Sequence, residues 1–318
     1  MIYREMPAIW DRNFRQAFYM RWGRESAVIS AKATRVEYPA YRQLLSIKTA
    51  SGGQEDYFID GRQVSVDDQT FFIINENRSY ASRIESLTPV HSFSMFFDPS
   101  LVAQVCASLR NDQQAMLDDP NRTSRDKVEF AERLYEHDRA VTPVLRHIQL
   151  AVDAGVNDDL WLDENVIILL ERMIRLNWRT RRQELLVPAR KPSTRKELLR
   201  RLSLGVDFIH TRYRDALTLK AIASAAHLSP FYFLHVFKAV YRTTPASYVH
   251  RRRCTAAIKL LQQTAWNMTT IAEHVGFGSR SSLFRHLKRE CGLEPRDLRP
   301  DQRLRGGDSA LVPVIARH

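Results

Sequence analysis

Two groups of side chains in this chain are suited to recognising another molecule: Pro230, Phe231, Leu234 and His235, and, fifty residues further on, Arg280, Ser281, Ser282 and Arg285. Their chemistry matches the edges of base pairs. A guanidinium can hold guanine O6 and N7 together, hydroxyls can bond either kind of edge, and apolar groups can meet the thymine methyl. A second set suits phosphate. Lys238, Lys288 and Arg253 offer charge, and Ser229 and Ser279 stand where a helix N-terminus would turn its backbone N–H groups outward.

The two groups are equivalent because one sequence unit occurs twice. Ser229 matches Ser279, Phe233 matches Leu283, Phe237 matches Leu287, Lys238 matches Lys288 and Pro245 matches Pro295, while Ile222-Ala223 matches Ile271-Ala272 one residue out of step. Each unit reads as a helix-turn-helix, the first over about 218–241 and the second over about 268–291. Its first helix carries a small residue at the crossing, Ala223 or Ala272. A turn follows four residues later at His227 or Gly276, and Ser229 or Ser279 then caps the second helix. Apolar pairs at i, i+4 bury one face of that helix and leave the other free to enter a groove. Between the units, Pro245 to Leu261 predicts a helix of about 16 residues, roughly 24 Å long, that holds both second helices toward successive major grooves. The run Arg251-Arg252-Arg253 cannot face one side of it.

Charge separates this half from the rest. Residues 191–318 hold 23 Lys+Arg against 9 Asp+Glu, net +14, whereas residues 1–190 hold 25 against 27. A basic half joined to a near-neutral one is the electrostatic footprint of a polyanion binder. A length of 318 residues predicts two domains, and 44% apolar with 26% charged residues excludes a disordered chain. No apolar run approaches a membrane span, and the charged N-terminus has no apolar signal core, so no membrane partner and a cytoplasmic location are expected. Cys106, Cys254 and Cys291 lack CxxC spacing and are expected in the core.

The N-terminal half reads as a barrel or sandwich of short strands over residues 26–97. Asp60-Gly61 marks a hairpin turn, Thr70–Ile74 a strand buried on both faces, and His91, Phe93, Met95 and Phe97 the inward face of an alternating strand. From Pro99 to about Glu184 the period is helical. Val166, Leu169, Leu170, Met173, Ile174 and Asn177 share one face, packed either on its own barrel or as a dimer seam. Two prolines in 187–192 and the charge shift put a linker at 186–194, between domains at 1–185 and 195–318. Tyr38, Tyr57, Phe72 and Phe93 are candidate lining residues for a small organic effector. His91, His137 and His147 stand apart, so neither a metal nor another cofactor, nor a catalytic centre, is expected.

Arg253, Ala257, Leu260-Leu261, Ile271-Ala272, Gly276-Phe277, Ser279, Lys288, Gly292 and Pro295 stand in the order and spacing of the AraC/XylS family signature, and the chain resembles that family over about residues 198–299. The resemblance implies a bacterial transcription regulator, activator or repressor, that binds double-stranded promoter DNA through a double helix-turn-helix. It also implies a cupin-like N-terminal effector and dimerisation domain, an α+β fold overall, a possible homodimer, and RNA polymerase as a partner. Three departures carry consequences. Arg242 stands where the second unit has Gly292, which predicts a differently built first turn, and Cys254 replaces the usual leucine with a smaller group. Phe231, Leu234 and His235 replace small polar residues and arginine, which predicts apolar contact with thymine methyls in the first unit. A cupin-type enzyme tethered to nucleic acid is opposed by the missing ligand cluster. An effector-independent architectural protein is opposed by a sensor-sized first domain.

Overall fold

Turn-forming residues cut residues 26–97 into strands, and in the computed structural model those strands form one sheet. The structure describes residues 1–110 and 128–292, without the side chains of residues 17–19, 110 and 291, so Pro295, the Cys291 side chain and the chain beyond 292 lie outside the described residues. In chain order the first elements are β1 (Ile2–Tyr3), α1 (Arg12–Arg21), β2 (Ala27–Arg42), β3 (Ser46–Ser51), β4 (Gln54–Ile59), β5 (Arg62–Asp67), β6 (Thr70–Ile74) and β7 (Ser79–Phe96). Helices α2 (Pro99–Arg110), α3 (Thr142–Asp153) and α4 (Asp159–Arg182) follow, with β8 (Leu134–Glu136) between the first two. The predicted helical half thus contributes an unpredicted strand. At three residues, β8 is too short to show a period, and it joins the sheet by pairing with β6.

The long strand β7 organises the sheet. It pairs antiparallel with β2 along most of its length, with bulges after Ala33 and Tyr38, and on its other edge with β3 and β4. The β4–β5 turn has Asp60 and Gly61 both at positive φ, 50° and 72°, the geometry that a two-residue hairpin demands. Strong twist and bulges curl the sheet, so both of its faces are covered. One face, with Ile47, Phe71, Ile73, Phe93, Met95 and Phe97, packs against α2, α3 and α4. The other encloses Tyr57, Ile59, Val64, Phe72, Ile74, Tyr80 and Ile84. Fully burying each such apolar side chain contributes about 1.5–3 kcal/mol.

This double burial corrects the expected alternation. Ser92, Ser94 and Phe96 are not on a solvent face but are buried opposite Phe93 and Met95. It also decides between the two readings of the long helix. Val166, Leu169, Leu170, Met173 and Ile174 of α4 are spent on the sheet of their own domain, and Asn177 holds the Glu129 carbonyl and the Ala131 N–H. Of the aromatic residues expected to line one pocket, Tyr57 and Phe72 lie together, 6.0 Å between centroids, on the inner face. Phe93 lies on the opposite face, against the helices, because odd-numbered positions of β7 point that way. Tyr38 is buried near the N-terminus, donating its hydroxyl to the Pro7 carbonyl and stacking on Trp10.

After a short 3-10 turn (Gln183–Leu186) come α5 (Pro192–Arg212), α6 (Leu219–Ala225), α7 (Pro230–Tyr241), α8 (Pro245–Gln263), α9 (Met268–His274) and α10 (Arg280–Cys291). The chain divides into two compact units, Met1–Asp207 and Phe208–His318. The predicted linker at 186–194 contains the break before α5, whereas the division into units falls later, inside that helix. The first part of α5 belongs with the sheet: Asp207 is buried, paired with Arg62 at 2.5 Å, and accepts the Leu134 N–H at 2.8 Å. Cys106 and Cys254 are buried in the core, as expected. No helix among the described residues is long and apolar enough to cross a membrane.

Candidate nucleic-acid interface

The repeat folds twice into the same local structure, down to its backbone hydrogen bonds. Helix α6 starts on Thr218, whose side chain accepts the Ala221 N–H at 3.1 Å, and α9 starts on Asn267, which accepts the Thr270 N–H at 2.9 Å. Each ends in a Schellman turn. Leu228 N donates to the Ala223 carbonyl (3.0 Å) and His227 N to that of Ser224 (3.0 Å). In the second unit Phe277 N donates to Ala272 (2.8 Å) and Gly276 N to Glu273 (3.1 Å). The residue closing each turn is left-handed, His227 at φ 52° and Gly276 at φ 86°.

Serine then begins the second helix of each unit. Ser229 accepts the Tyr232 N–H at 3.3 Å, and Ser279 accepts the Ser282 N–H at 3.2 Å. Phe233 and Phe237 of α7, and Leu283 and Leu287 of α10, are fully buried. Both helices end alike: Arg242 (φ 55°) and Gly292 (φ 65°) are left-handed and donate their N–H to the carbonyls of Lys238 and Lys288, each at 3.1 Å. The expected difference at Arg242 is therefore absent. The backbone bond and the burial of α7 impose the left-handed turn on a residue with a Cβ, which costs about 1–2 kcal/mol. Because the Arg242 side chain is exposed, Arg242→Gly should raise stability by about 1 kcal/mol in urea unfolding. A loss of stability would show that the side chain does something else there.

Helix α8 joins the units. Thr244 caps it through the Ser247 N–H (3.1 Å), Pro245 occupies its first turn, and its 19 residues make it roughly 28 Å long. The three arginines diverge as expected. Arg251 is exposed and Arg252 lies 4.3 Å from the centre of the Tyr213 ring. Arg253, expected at phosphate, is buried: Nε donates to the Tyr213 carbonyl at 2.6 Å and Nη2 to that of Asp215 at 2.7 Å. The reason is the loop before α6, whose inward carbonyls need a donor.

The remaining sites sit on the outer faces. In α7, Pro230, Phe231, His235 and Lys238 are exposed, Phe231 at 83%, with Ser229 exposed at the cap. Leu234 is half-buried and lines a small apolar cleft with Ile222, Pro245 and Val249. In α10, Arg280, Ser281, Arg285 and Lys288 line one shallow depression together with Phe284 and Arg289. Ser279 is exposed, and Ser282, whose backbone N–H the cap accepts, is half-buried. Phe284 and Arg289 escaped the sequence reading, although Phe284 occupies the place of Leu234 in the repeat and so was signalled there.

A histidine pair lies behind the second helix. His250 of α8 and His286 of α10 have ring centroids 3.9 Å apart and both stack on Phe277. Burial, then the neighbouring imidazole and the arginines at 253 and 289, pulls His250 down to about 4. Burial likewise lowers His286, with Arg289 adding to it. Both rings are thereby pushed toward the neutral form, and Arg289 Nη2 donates to His286 Nδ1 at 3.0 Å, which leaves the arginines and lysines as the cations of this surface.

Residues 222–301 match the family model for a helix-turn-helix domain. Among curated proteins, the chain is 33% identical over 84 residues to the RCS-specific HTH-type transcriptional activator RclR of Escherichia coli, covering 26% of this chain and 30% of that protein. It is 29% identical over 99 residues to the regulatory protein PocR of Salmonella typhimurium, covering 31% and 33%. A solved transcriptional regulator of Chromobacterium violaceum with an AraC-type DNA-binding domain is 24% identical, covering 37% of this chain and all of that one, with a TM-score of 0.31. The chain spans about a third of the length of the curated relatives it matches. The chain thus carries a helix-turn-helix domain, built twice over, that is similar to those of AraC-type transcription regulators.

Proposed function

We propose that the protein is a transcription regulator that binds double-stranded promoter DNA through α7 and α10 and answers to a small organic effector held by its first unit. The observation that carries this reading is the pair of identically capped second helices, each with one buried and one bare face. A helix N-terminus, a guanidinium and a lysine lie along the outer face of α10. In the proposed complex Arg280 and Arg285 grip guanines, Ser281 and Ser282 bond neighbouring base edges, and Phe231, Leu234, Pro230 and His235 meet thymine methyls. Lys238, Lys288 and the amides behind Ser229 and Ser279 hold phosphates and fix the register. Regulation then proceeds by contact with RNA polymerase, from a monomer or a homodimer, in the cytoplasm, with no membrane partner and no catalytic step.

Arg285→Ala is the test. Against a bound site and its single-base variants, it should lose discrimination at one position by about 10- to 100-fold, equivalent to 1–3 kcal/mol, while binding to random DNA changes little. Equal weakening on every sequence would reduce Arg285 to a phosphate contact and contradict the assignment of α10 to base reading.

A further inference from the structure

Every exposed residue in the second half of α4, from Arg172 to Arg182, is an arginine: Arg172, Arg175, Arg179, Arg181 and Arg182. Met173, Ile174, Asn177 and Thr180 take the inward positions of the same turns. Arg172, Arg175, Arg179 and Arg182 follow at steps of three, four and three residues, which sets them in one stripe about 15 Å long. Arg175 is paired with Glu171 at 2.8 Å, and Arg181 donates to the Glu129 carbonyl. Arg172, Arg179 and Arg182 make no hydrogen bond or ion pair among the described residues. Beyond the short turn, Arg190 and Lys191 are two further exposed cations. Residues 172–191 hold seven Lys+Arg against one Asp+Glu, whereas residues 1–171 of the same sheet-bearing unit hold 19 against 26.

Helix stability alone does not call for such a stripe. Cations complement the helix dipole only in the last turn. Arg175 and Arg172 stand about two and three turns before the end, where like charges at these spacings repel one another. The chemistry is selective as well. No lysine interrupts the stripe, and a guanidinium suits an anion that accepts two parallel hydrogen bonds. The exposed positions from Arg172 to Arg182 also hold no aromatic or aliphatic anchor, which a protein partner needs at the centre of its contact. One DNA strand places a phosphate at about every 3.4 Å of helix axis, so a 15 Å stripe runs along roughly four of them.

We propose that the arginine stripe of α4, continued by Arg190 and Lys191, holds the sugar–phosphate backbone of double-stranded DNA flanking the site read by α7 and α10. The proposal rests on the reading of the chain as a DNA-binding regulator. The stripe belongs to the unit without a helix-turn-helix, and covalent joining makes DNA held by the second unit a tethered ligand for it. Contacts of this kind add affinity and salt dependence but carry no sequence information.

The test measures binding of the full chain across a salt series, to its selected site with about ten base pairs of flank on each side and to the same site trimmed to its recognised blocks. Arg172→Gln, Arg179→Gln and Arg182→Gln combined should lower the slope of log K against log salt by about 2 to 3 on the flanked DNA. They should weaken that DNA at least tenfold and leave the trimmed site and the base preferences unchanged. Lysine at the same three positions should keep most of the slope. Arg12→Gln, Arg15→Gln and Arg24→Gln combined remove equal charge from exposed positions elsewhere in that unit and should change neither DNA. Equal effects of the two triple variants, or an unaltered slope in the stripe variant, overturns the proposal. So does a stripe variant that binds both DNAs normally but passes from dimer to monomer in sedimentation. The arginines would then pair with Asp158, Asp159, Asp163 and Glu164 of a second copy. Should the triple variant fail to fold, Arg179→Gln alone should lower the slope by about 0.9, and an unchanged slope overturns the proposal. Specific binding with an unaltered slope overturns the stripe alone. A native chain without sequence preference, whose stripe variant still lowers the slope on random DNA, overturns the regulator reading alone.

Discussion

Gly276→Ala should destabilise the second unit by about 3 kcal/mol or more. A Cβ at this position would stand 2.4 Å from the Arg214 carbonyl oxygen and 2.9 Å from its carbon, both backbone atoms that cannot step aside. The position is also left-handed, at φ 86°, where a side chain adds strain. Overlap and strain act together because the Schellman turn fixes Gly276 from both sides. Urea unfolding of the full chain checks it, with the loss confined to the transition of the second unit. A change under 1 kcal/mol would mean that the turn does not approach Arg214 so closely. His227 holds the equivalent place in the first unit with a similar φ and is exposed, so His227→Gly is tolerated where Gly276→Ala is not.

Arg253→Met should cost about 2–4 kcal/mol of stability and leave the salt dependence of DNA binding unchanged. The guanidinium ties two carbonyls of the loop before α6 to α8, and its removal leaves both without their donor. Lys288→Ala behaves in the opposite way: stability holds, and the slope of log K against log salt falls by about 0.9, the release of one counterion. Should Arg253→Met reduce the slope while stability stays, the guanidinium belongs at phosphate after all and the buried geometry is contradicted.

Arg253 and Arg242 show what the sequence could and could not convey. The double unit was legible because its information is periodic: a small residue at the crossing, a turn four residues on, a serine cap, and apolar pairs at i, i+4 all repeat. Such features are set by backbone geometry, which spacing reveals. Arg253 lies in a run of three arginines, and burial of one of them depends on carbonyls about forty residues earlier, in the loop before α6. Spacing carries no trace of that. The first unit posed the same difficulty. Its hairpin turn at Asp60-Gly61 and the doubly buried Thr70–Ile74 were readable, but curling of the sheet turned the face of Ser92 and Ser94 inward, so a period of two no longer separated core from solvent. Lys48 and Glu55, both buried, were hidden by the same effect, since charged residues in an alternating strand read as solvent-facing. The left-handed Arg242 was misread for the converse reason: a hydrogen-bonded turn held by packing overrides the preference of the residue within it.

The central claim is that α7 and α10 both read bases. Selection of random double-stranded DNA by the purified full chain, with and without added small organic metabolites, tests it most directly. The account predicts a recovered site with two conserved blocks about 10 base pairs apart, one rich in thymine and one containing guanine, bound on the order of 10³-fold or more above random sequence. A single conserved block, or no recovered sequence in either condition, would contradict it.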